Sequence, residues 1–195
     1  MFIVFEGIDG SGKTTQADLL AKHLRSEGKE VLLTREPGGT DLAEKLRSII
    51  LSDHYSLDSY TQLLLVLAAR RNHYYRMILP AIQQKKIVIC DRFFYSTIVY
   101  QGCGFGVDQE FIKKAHKDFG CLINPDFTIL LDIDYQETTK KGDDRFEKMD
   151  TEFFSTLVKG YRSLAQKHPD IKLLKRQGKD QNQVHQQVLA ELKLA

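Results

Sequence analysis

Phe2-Ile3-Val4-Phe5-Glu6-Gly7-Ile8-Asp9-Gly10-Ser11-Gly12-Lys13-Thr14 is the stretch that decides the fold. Its first four residues form a continuous β-prone run, as expected for a strand buried on both faces of a sheet. Gly7 to Thr14 then fits GxxxxGK[ST] in full. From Lys13 to about Arg25 the apolar residues Ala17, Leu20, Ala21 and Leu24 recur at helical spacing, and Gly28 ends the run. Strand, glycine loop and helix in this order make a phosphate cradle. The glycines let backbone N–H groups turn inward around phosphate oxygens. The helix that starts there adds the positive end of its dipole. Lys13 would reach the β- and γ-phosphates, and the Thr14 hydroxyl would bind Mg²⁺. Gly7, Ile8, Asp9, Gly10, Ser11, Gly12, Lys13 and Thr14 are therefore the candidate residues for binding a nucleoside triphosphate. A chance match to the pattern is the bland alternative, and the flanking strand and helix argue against it. The motif identifies a phosphate site, not yet a reaction.

Working outward, strands alternate with helices. Val31-Leu32-Leu33 reads as a second strand, broken by Pro37-Gly38-Gly39. Thr40 and Asp41 cap a helix to about Leu51, with Leu42, Leu46, Ile49 and Ile50 expected on its inner face. A long helix is expected from about Ser59 to Met77, with Pro80 near its end. Ile87–Cys90 reads as a third strand, closed by Asp91-Arg92. Ser96–Tyr100 reads as helical, and Gly102, Gly104 and Gly106 as the opening of a loop. Asp108 looks like the N-cap of a helix to about Phe119. Phe127–Leu131 and Ile171–Leu174 complete the strands. Helices are expected at about Glu152–Lys167 and Gln183–Leu194. The pattern is that of an α/β domain with a parallel sheet, whose active site lies at the carboxyl ends of the strands.

The chain has 195 residues, 42% hydrophobic and 28% charged, with a net charge of +2. That length fits one domain with room for a sizeable core. Apolar runs along the whole length exclude intrinsic disorder. No apolar stretch is long enough for a membrane span. The first residues lack the features of a secretory signal, so a cytoplasmic protein is expected. The charge balance does not suggest a dedicated nucleic-acid binder. Cys90, Cys103 and Cys121 show no CxxC spacing and read as reduced thiols. The six histidines are scattered and read as surface or satisfied core residues.

A second group of residues points to a second anion. A carboxylate at Asp91 would reach Mg²⁺ through water beside Thr14; a structural ion pair is the alternative. Arg92 beside it is unexpected for a pure metal site, but suits a phosphorylated acceptor near the γ-phosphate. Arg47, Arg70 and Arg71 are further candidates, because guanidinium forks match phosphate geometry. Taken singly, each arginine is more simply a solvated surface residue.

Thr34-Arg35-Glu36-Pro37-Gly38-Gly39-Thr40, Asp91-Arg92-Phe93 and Tyr100-Gln101-Gly102 resemble thymidylate kinase. Leu42–Arg47 and Asp144-Arg145-Phe146-Glu147 resemble its bacterial form, and the likeness runs from Phe2 to about Leu194. The resemblance implies a three-layer P-loop NTPase sandwich of the nucleoside monophosphate kinase type. Its sheet would be parallel and five-stranded, in a single domain over residues 1–195 with a short lid at about 137–148. It implies transfer of the γ-phosphoryl of ATP to dTMP with Mg²⁺, giving dTDP for dTTP biosynthesis, by a homodimer. Thr14 and Asp91 would hold the metal. Lys13, Arg92 and Arg145 would be catalytic. Asp9 would approach the sugar 3′-OH, and Glu36 would sit near the acceptor. Arg70 and Arg92 would hold the dTMP phosphate, with Arg47 close by. Thr97 and Gln101 would read the thymine edge, and Tyr100 would pack on the sugar. Leu63, Leu64, Leu67 and Tyr74 would serve the dimer interface, unless they are core.

Two departures from the family stand out. Val66 occupies the place where an aromatic usually stacks on thymine, so a weaker affinity or a substitute contact is expected. Before Asp144-Arg145 only Lys140 and Lys141 occur, where relatives carry several arginines. Lysine makes a point contact where arginine makes a fork. Three other readings remain at this point: a different nucleotide or deoxynucleoside kinase, a regulatory NTPase, and a non-catalytic nucleotide-binding module. The second lacks an NKxD-type guanine reader.

Overall fold

A computed structural model describes residues 1–138, 144–146 and 148–194. Lys140 and Lys141 lie outside the described residues, as does half of the expected lid. The strands are β1 (Phe2–Glu6), β2 (Val31–Arg35), β3 (Ile87–Asp91), β4 (Phe127–Asp132) and β5 (Ile171–Lys175). They form one sheet in the order β2-β3-β1-β4-β5, parallel throughout. Every residue of β1 is buried, because helices cover both faces of the sheet. The order places the carboxyl ends of β1 and β3 side by side, with Phe5 paired to Asp91. The glycine loop and Asp91-Arg92 therefore meet at one edge of the same crevice.

One face of the sheet carries α1 (Lys13–Ser26) and α8 (Gln181–Glu191). Leu20, Ala21 and Leu24 pack there against Ile3, Phe5 and Val188. The opposite face carries α3 (Ser59–His73) and α7 (Thr151–Lys167) around Leu63, Val66, Leu157 and Phe154. The helix starts follow the side chains expected to cap them. Thr40 accepts from Ala43 N at the start of α2 (Asp41–Leu51). Asp108 accepts from Phe111 N at the start of α6 (Gln109–Asp118). Each satisfies an otherwise orphaned helix N–H.

Two expected helices are present with irregular turns, and two other expectations are corrected. The helix from Ser59 does not run regularly to Met77. It changes to a π-turn at Tyr74–Ile78 and continues as α4 (Leu79–Gln83), with Pro80 in its first turn. The expected helix Ser96–Tyr100 splits into α5 (Phe94–Thr97) and a π-turn, Ile98–Gly104. Gly102 and Gly104 therefore lie in helical backbone and do not open a loop; Gly104 packs where a side chain would meet Phe153 and Leu157. Leu42, expected on the inner face of α2, is 51% exposed, since Ala43 and Ile50 take the inward positions.

Gly39 shows how tightly the turn after β2 is fixed. Its φ is +85°, and an added Cβ would press into the His73 ring and lie 2.7 Å from Thr34 Oγ1. Gly39→Ala is expected to destabilise the fold by about 1–2 kcal/mol from the left-handed backbone alone, with the clash adding to it. Thermal or urea unfolding of the variant measures this, and an unchanged midpoint contradicts it.

Candidate active site

Two clefts open along the carboxyl edge of the sheet. The larger, of about 1770 Å³, is lined by Gly10, Gly12, Lys13, Thr14, Asp91, Arg92 and Arg176, among others. The smaller, of about 580 Å³, runs under α3 between Val66, Arg70, Thr97, Tyr100, Gln101 and Phe146. Asp9, Glu36, Arg47, Arg92 and Asp144 border both, so the clefts are continuous.

The phosphate loop is built as its sequence implies. Gly7, Gly10 and Gly12 have φ of 138°, 77° and 94°, which side-chain-bearing residues rarely adopt. Ile8 and Ser11 are buried beneath it. Lys13 is buried, and its ammonium donates to the Ile8 carbonyl at 2.8 Å. Burial, then the charge of Arg92, pushes the Lys13 pKa down to about 8, against the pull of Asp9, Asp91 and Glu6. The Thr14 hydroxyl donates to Asp91 Oδ2 at 2.6 Å. The other oxygen, Asp91 Oδ1, is buried without a protein partner. A hydroxyl beside an under-used carboxylate is a donor set of the kind a hard divalent cation takes.

Arg92 joins the loop to the smaller cleft. Its φ is 72°, which turns the chain sharply at the end of β3. Nη1 donates to the Gly7 carbonyl at 2.9 Å and to Ser96 Oγ at 3.1 Å. Nη2 donates to Asp9 Oδ1 at 2.6 Å and to the Tyr100 hydroxyl at 3.0 Å. The Tyr100 hydroxyl in turn donates to Asp9 Oδ2 at 2.8 Å. Burial acts to raise the Asp9 pKa, but the charges of Arg92 and Lys13 overcome it and hold the carboxyl well below the usual range. Behind these residues lies Glu6. It accepts from Phe93 N, Ser96 N, Ser96 Oγ and the Tyr161 hydroxyl. Burial raises its pKa.

Arg70 sits at the far end of the smaller cleft. Nε donates to Glu36 at 2.5 Å, Nη1 to Thr97 Oγ1 at 2.8 Å, and Nη2 to the Phe93 carbonyl at 2.8 Å. Nη1 also lies 2.5 Å from His116 Nε2. His116 Nδ1 faces the Ile112 carbonyl at 2.7 Å, which requires its proton on Nδ1 and leaves Nε2 to accept from Arg70. Burial, reinforced by the Arg70 charge, pushes the His116 pKa down to about 3. Glu36 meets Arg70 on one side and His73 Nδ1 on the other, at 2.9 Å. Burial would raise its pKa, yet Arg70 and His73 lower it. His73 and His116 are the satisfied core histidines that their scattered spacing implied.

The structure thus gathers Asp9, Lys13, Thr14, Glu36, Arg47, Val66, Arg70, Asp91, Arg92, Thr97, Tyr100 and Gln101 along two joined clefts. It does not bring Arg145 there. The Arg145 guanidinium donates to the Tyr55 carbonyl in the loop after α2 and lines neither cleft, apart from the residues expected to act with it. Arg71 also leaves the site. It lies over the Tyr75 ring and donates to the Phe119 carbonyl on the outer face. Sequence reasoning missed Phe146 as a cleft wall and Arg176 beside the phosphate loop. The polar end of β5 was the available signal for Arg176; nothing in the spacing pointed to Phe146.

The sequence profile of the family described as thymidylate kinase matches residues 5–188. The chain belongs to the thymidylate kinase family. A thymidylate kinase of Neorickettsia sennetsu is 48% identical over 178 residues, covering 91% of this chain and 87% of that protein. One of Wolbachia pipientis wMel is 49% identical, with 87% of each chain covered. The crystal structure of thymidylate kinase from Ehrlichia chaffeensis superimposes with a TM-score of 0.84 at 42% identity, covering 99% of this chain and 98% of that one. The fold described above is therefore that of a thymidylate kinase.

Lys13 gives this kinase a measurable proton signature. Its folded pKa of about 8 is below the ordinary 10.5, so the fold disfavours the charged form. Stability is reduced below about pH 8 and is regained as pH rises from about 8 towards 10.5. A triphosphate beside Lys13 is expected to offset the burial penalty and restore the proton. Titration of ATP at pH 8 in buffers of different ionisation enthalpy is expected to show uptake of up to about half a proton. Lys13→Met is expected to abolish that uptake; equal uptake by both proteins contradicts the assignment.

Proposed function

We propose that this thymidylate kinase passes the γ-phosphoryl group of ATP to dTMP, giving dTDP for dTTP biosynthesis, with Mg²⁺ as its metal ion. The observation that carries the reading is the continuity of the two clefts. A triphosphate cradle and a second pocket share one mouth, and that mouth is lined by Arg92, Arg47 and Asp9. One cleft takes the donor and the other the acceptor.

The acceptor is already an anionic phosphate oxygen, so no strong base is required. Catalysis rests on positioning and on neutralising charge. The inward-turned amides of Gly10 to Thr14 cradle the donor phosphates, and Lys13 exchanges its Ile8 carbonyl for them. Thr14 and Asp91 would hold Mg²⁺, which would supply charge neutralisation during the transfer. Arg92 and Arg47 meet the acceptor phosphate at the shared mouth. Arg47 donates to the Pro37 carbonyl at 3.0 Å, which fixes it there. Tyr100 and Asp9 face the sugar. Arg70, with four of its five N–H groups already held, belongs with Thr97 and Gln101 at the base end and not at the phosphate. Val66 and Phe146 form the apolar walls. Phe146 lies 5.6 Å from the Tyr100 ring, edge to face, and takes up the aromatic role that Val66 does not fill.

A homodimer is the assembly this reading favours, through the exposed side of the expected helix, where Leu64 lies, together with α6. Leu63 and Leu67 are core residues and Tyr74 is half-buried. The exposed side chains are Tyr60 (52%), Leu64 (60%), Tyr75 (43%), Phe111 (47%) and Phe119 (48%), on α3 and its extension and on and beside α6. Such an apolar stripe fits a partner of the same kind. No helix among the described residues is long and apolar enough to cross a membrane. The three cysteines are free thiols, which supports a reducing compartment, the cytoplasm.

Coupled ADP release with Mg²⁺-ATP and a panel of dTMP, dUMP, UMP, dCMP, AMP and GMP tests the reaction. dTMP is expected to win by a wide margin, and turnover of another monophosphate with dTMP inert overturns the reading. In the same assay Lys13→Ala is expected to lower kcat at least ~100-fold, the scale of losing an oriented charge at the transition state. Leu64→Glu is expected to yield monomers by light scattering with the fold retained; an unchanged mass contradicts the proposed face.

A further inference from the structure

One cation beside the phosphate loop has no part in the mechanism above. Arg176 follows β5 directly, and its backbone N–H donates to the Asp132 carbonyl at 2.9 Å. Its side chain crosses to the glycine loop, where Nη1 donates to the Gly10 carbonyl at 2.6 Å. The guanidinium carbon stands 3.5 Å from the point a Cβ on Gly12 would occupy. Among the described residues no carboxylate pairs with it. It lines the larger cleft together with Lys13 and Thr14. A guanidinium has five donors, and one is used here.

The direction of the donor follows from the sheet. The acceptor pocket opens beside Arg92 and Asp9, towards β3 and β2. The γ-phosphate must face that mouth, and the β-phosphate must sit in the loop by Lys13. The α-phosphate and the nucleoside then leave on the other side. In the order β2-β3-β1-β4-β5, that side is the carboxyl end of β4 and β5, where Arg176 lies.

Resting on the kinase reading above, we propose that Arg176 is a donor-nucleotide residue, whose guanidinium forms the floor beneath the ribose and base of the triphosphate. The Gly10 carbonyl pins one corner of the planar group. Its face remains for stacking on the base, and its other N–H groups remain for the ribose oxygens. Stacking reads the face of a base and not its edge, so the floor accepts adenine and guanine alike.

The test compares wild type with Arg176→Ala and Arg176→Lys. It reads KM for ATP, GTP and dTMP, the Ki of inorganic tripolyphosphate as a competitor of ATP, and the melting temperature. Arg176→Ala is expected to raise the KM of ATP and of GTP by about tenfold, while the KM of dTMP and the Ki of tripolyphosphate stay within twofold. Arg176→Lys keeps the charge and the reach to Gly10 but not the flat face, and is expected to recover little. If tripolyphosphate weakens as much as ATP, the contact is to phosphate and the floor is wrong. If Arg176→Lys restores ATP fully, the residue only supports Gly10, and the proposal is again overturned. An unchanged KM for ATP in a folded Arg176→Ala also overturns it. Calorimetric binding of ADP against tripolyphosphate gives the same comparison without turnover. It therefore separates failure of this proposal from failure of the dTMP kinase reading.

Discussion

The ion pair between Arg92 and Asp9 holds the crevice together. It closes the gap between two strand ends, with Asp9 in the loop after β1 and Arg92 immediately after β3. The pairing of β1 with β3 brings those ends to the same level, but backbone register alone does not orient a phosphate loop. The guanidinium does so by donating to the Gly7 carbonyl and to Asp9 on one side, and to Ser96, Tyr100 and Tyr161 on the other. The left-handed backbone at Arg92 is the local cost, on the order of 1–3 kcal/mol for such a conformation. The surrounding bonds hold it. Glu6 braces the same segment from below, through the amides of Phe93 and Ser96. The charge that shapes the crevice therefore sits where charge must be managed during transfer.

Much of this architecture was legible from the chain. The strands show as short apolar runs because each is covered on both faces, and the first helix follows from the loop that starts it. Thr40 and Asp108 were legible as caps because capping is a local event between residues three apart. The π-turns at Tyr74–Ile78 and Ile98–Gly104 were not legible. An extra residue in a helical turn leaves no mark on apolar spacing, so a regular helix and a glycine-rich loop were the natural readings. Leu42 failed for a related reason: its spacing suited an inward face, but α2 rolls so that Ala43 and Ile50 fill it.

The site was legible where a motif carries its own geometry, and less so where distant residues meet. Gly7 to Thr14 and Asp91-Arg92 lie on strand ends, whose positions topology dictates. Arg70 was legible as a site residue but not in its position. Its four partners, Glu36, Phe93, Thr97 and His116, are 23 to 46 residues away, and only the folded chain assembles them. Arg145 shows the converse. Its place in a recognisable run suggested catalysis, but the loop after α2 offers it the Tyr55 carbonyl. Arg176 belongs to a strand end that the sequence marked as polar but gave no reason to join to the phosphate loop.

The row His73–Glu36–Arg70–His116 has a consequence for how the acceptor pocket responds to its medium. Each imidazole has its proton directed by a neighbour, His73 towards the Glu36 carboxylate and His116 towards the Ile112 carbonyl. The fork of Arg70 is locked between them. With His116 neutral down to about pH 3 and Glu36 held ionised beside it, the two groups that flank Arg70 keep their roles as acceptors when the medium is acidified. The Arg70 fork is a fixed stencil at this end of the pocket. Sensitivity to pH is concentrated at the other end of the crevice, in Lys13 and in the phosphates it meets, so recognition of the acceptor's base and handling of its charge are decoupled within a single cleft.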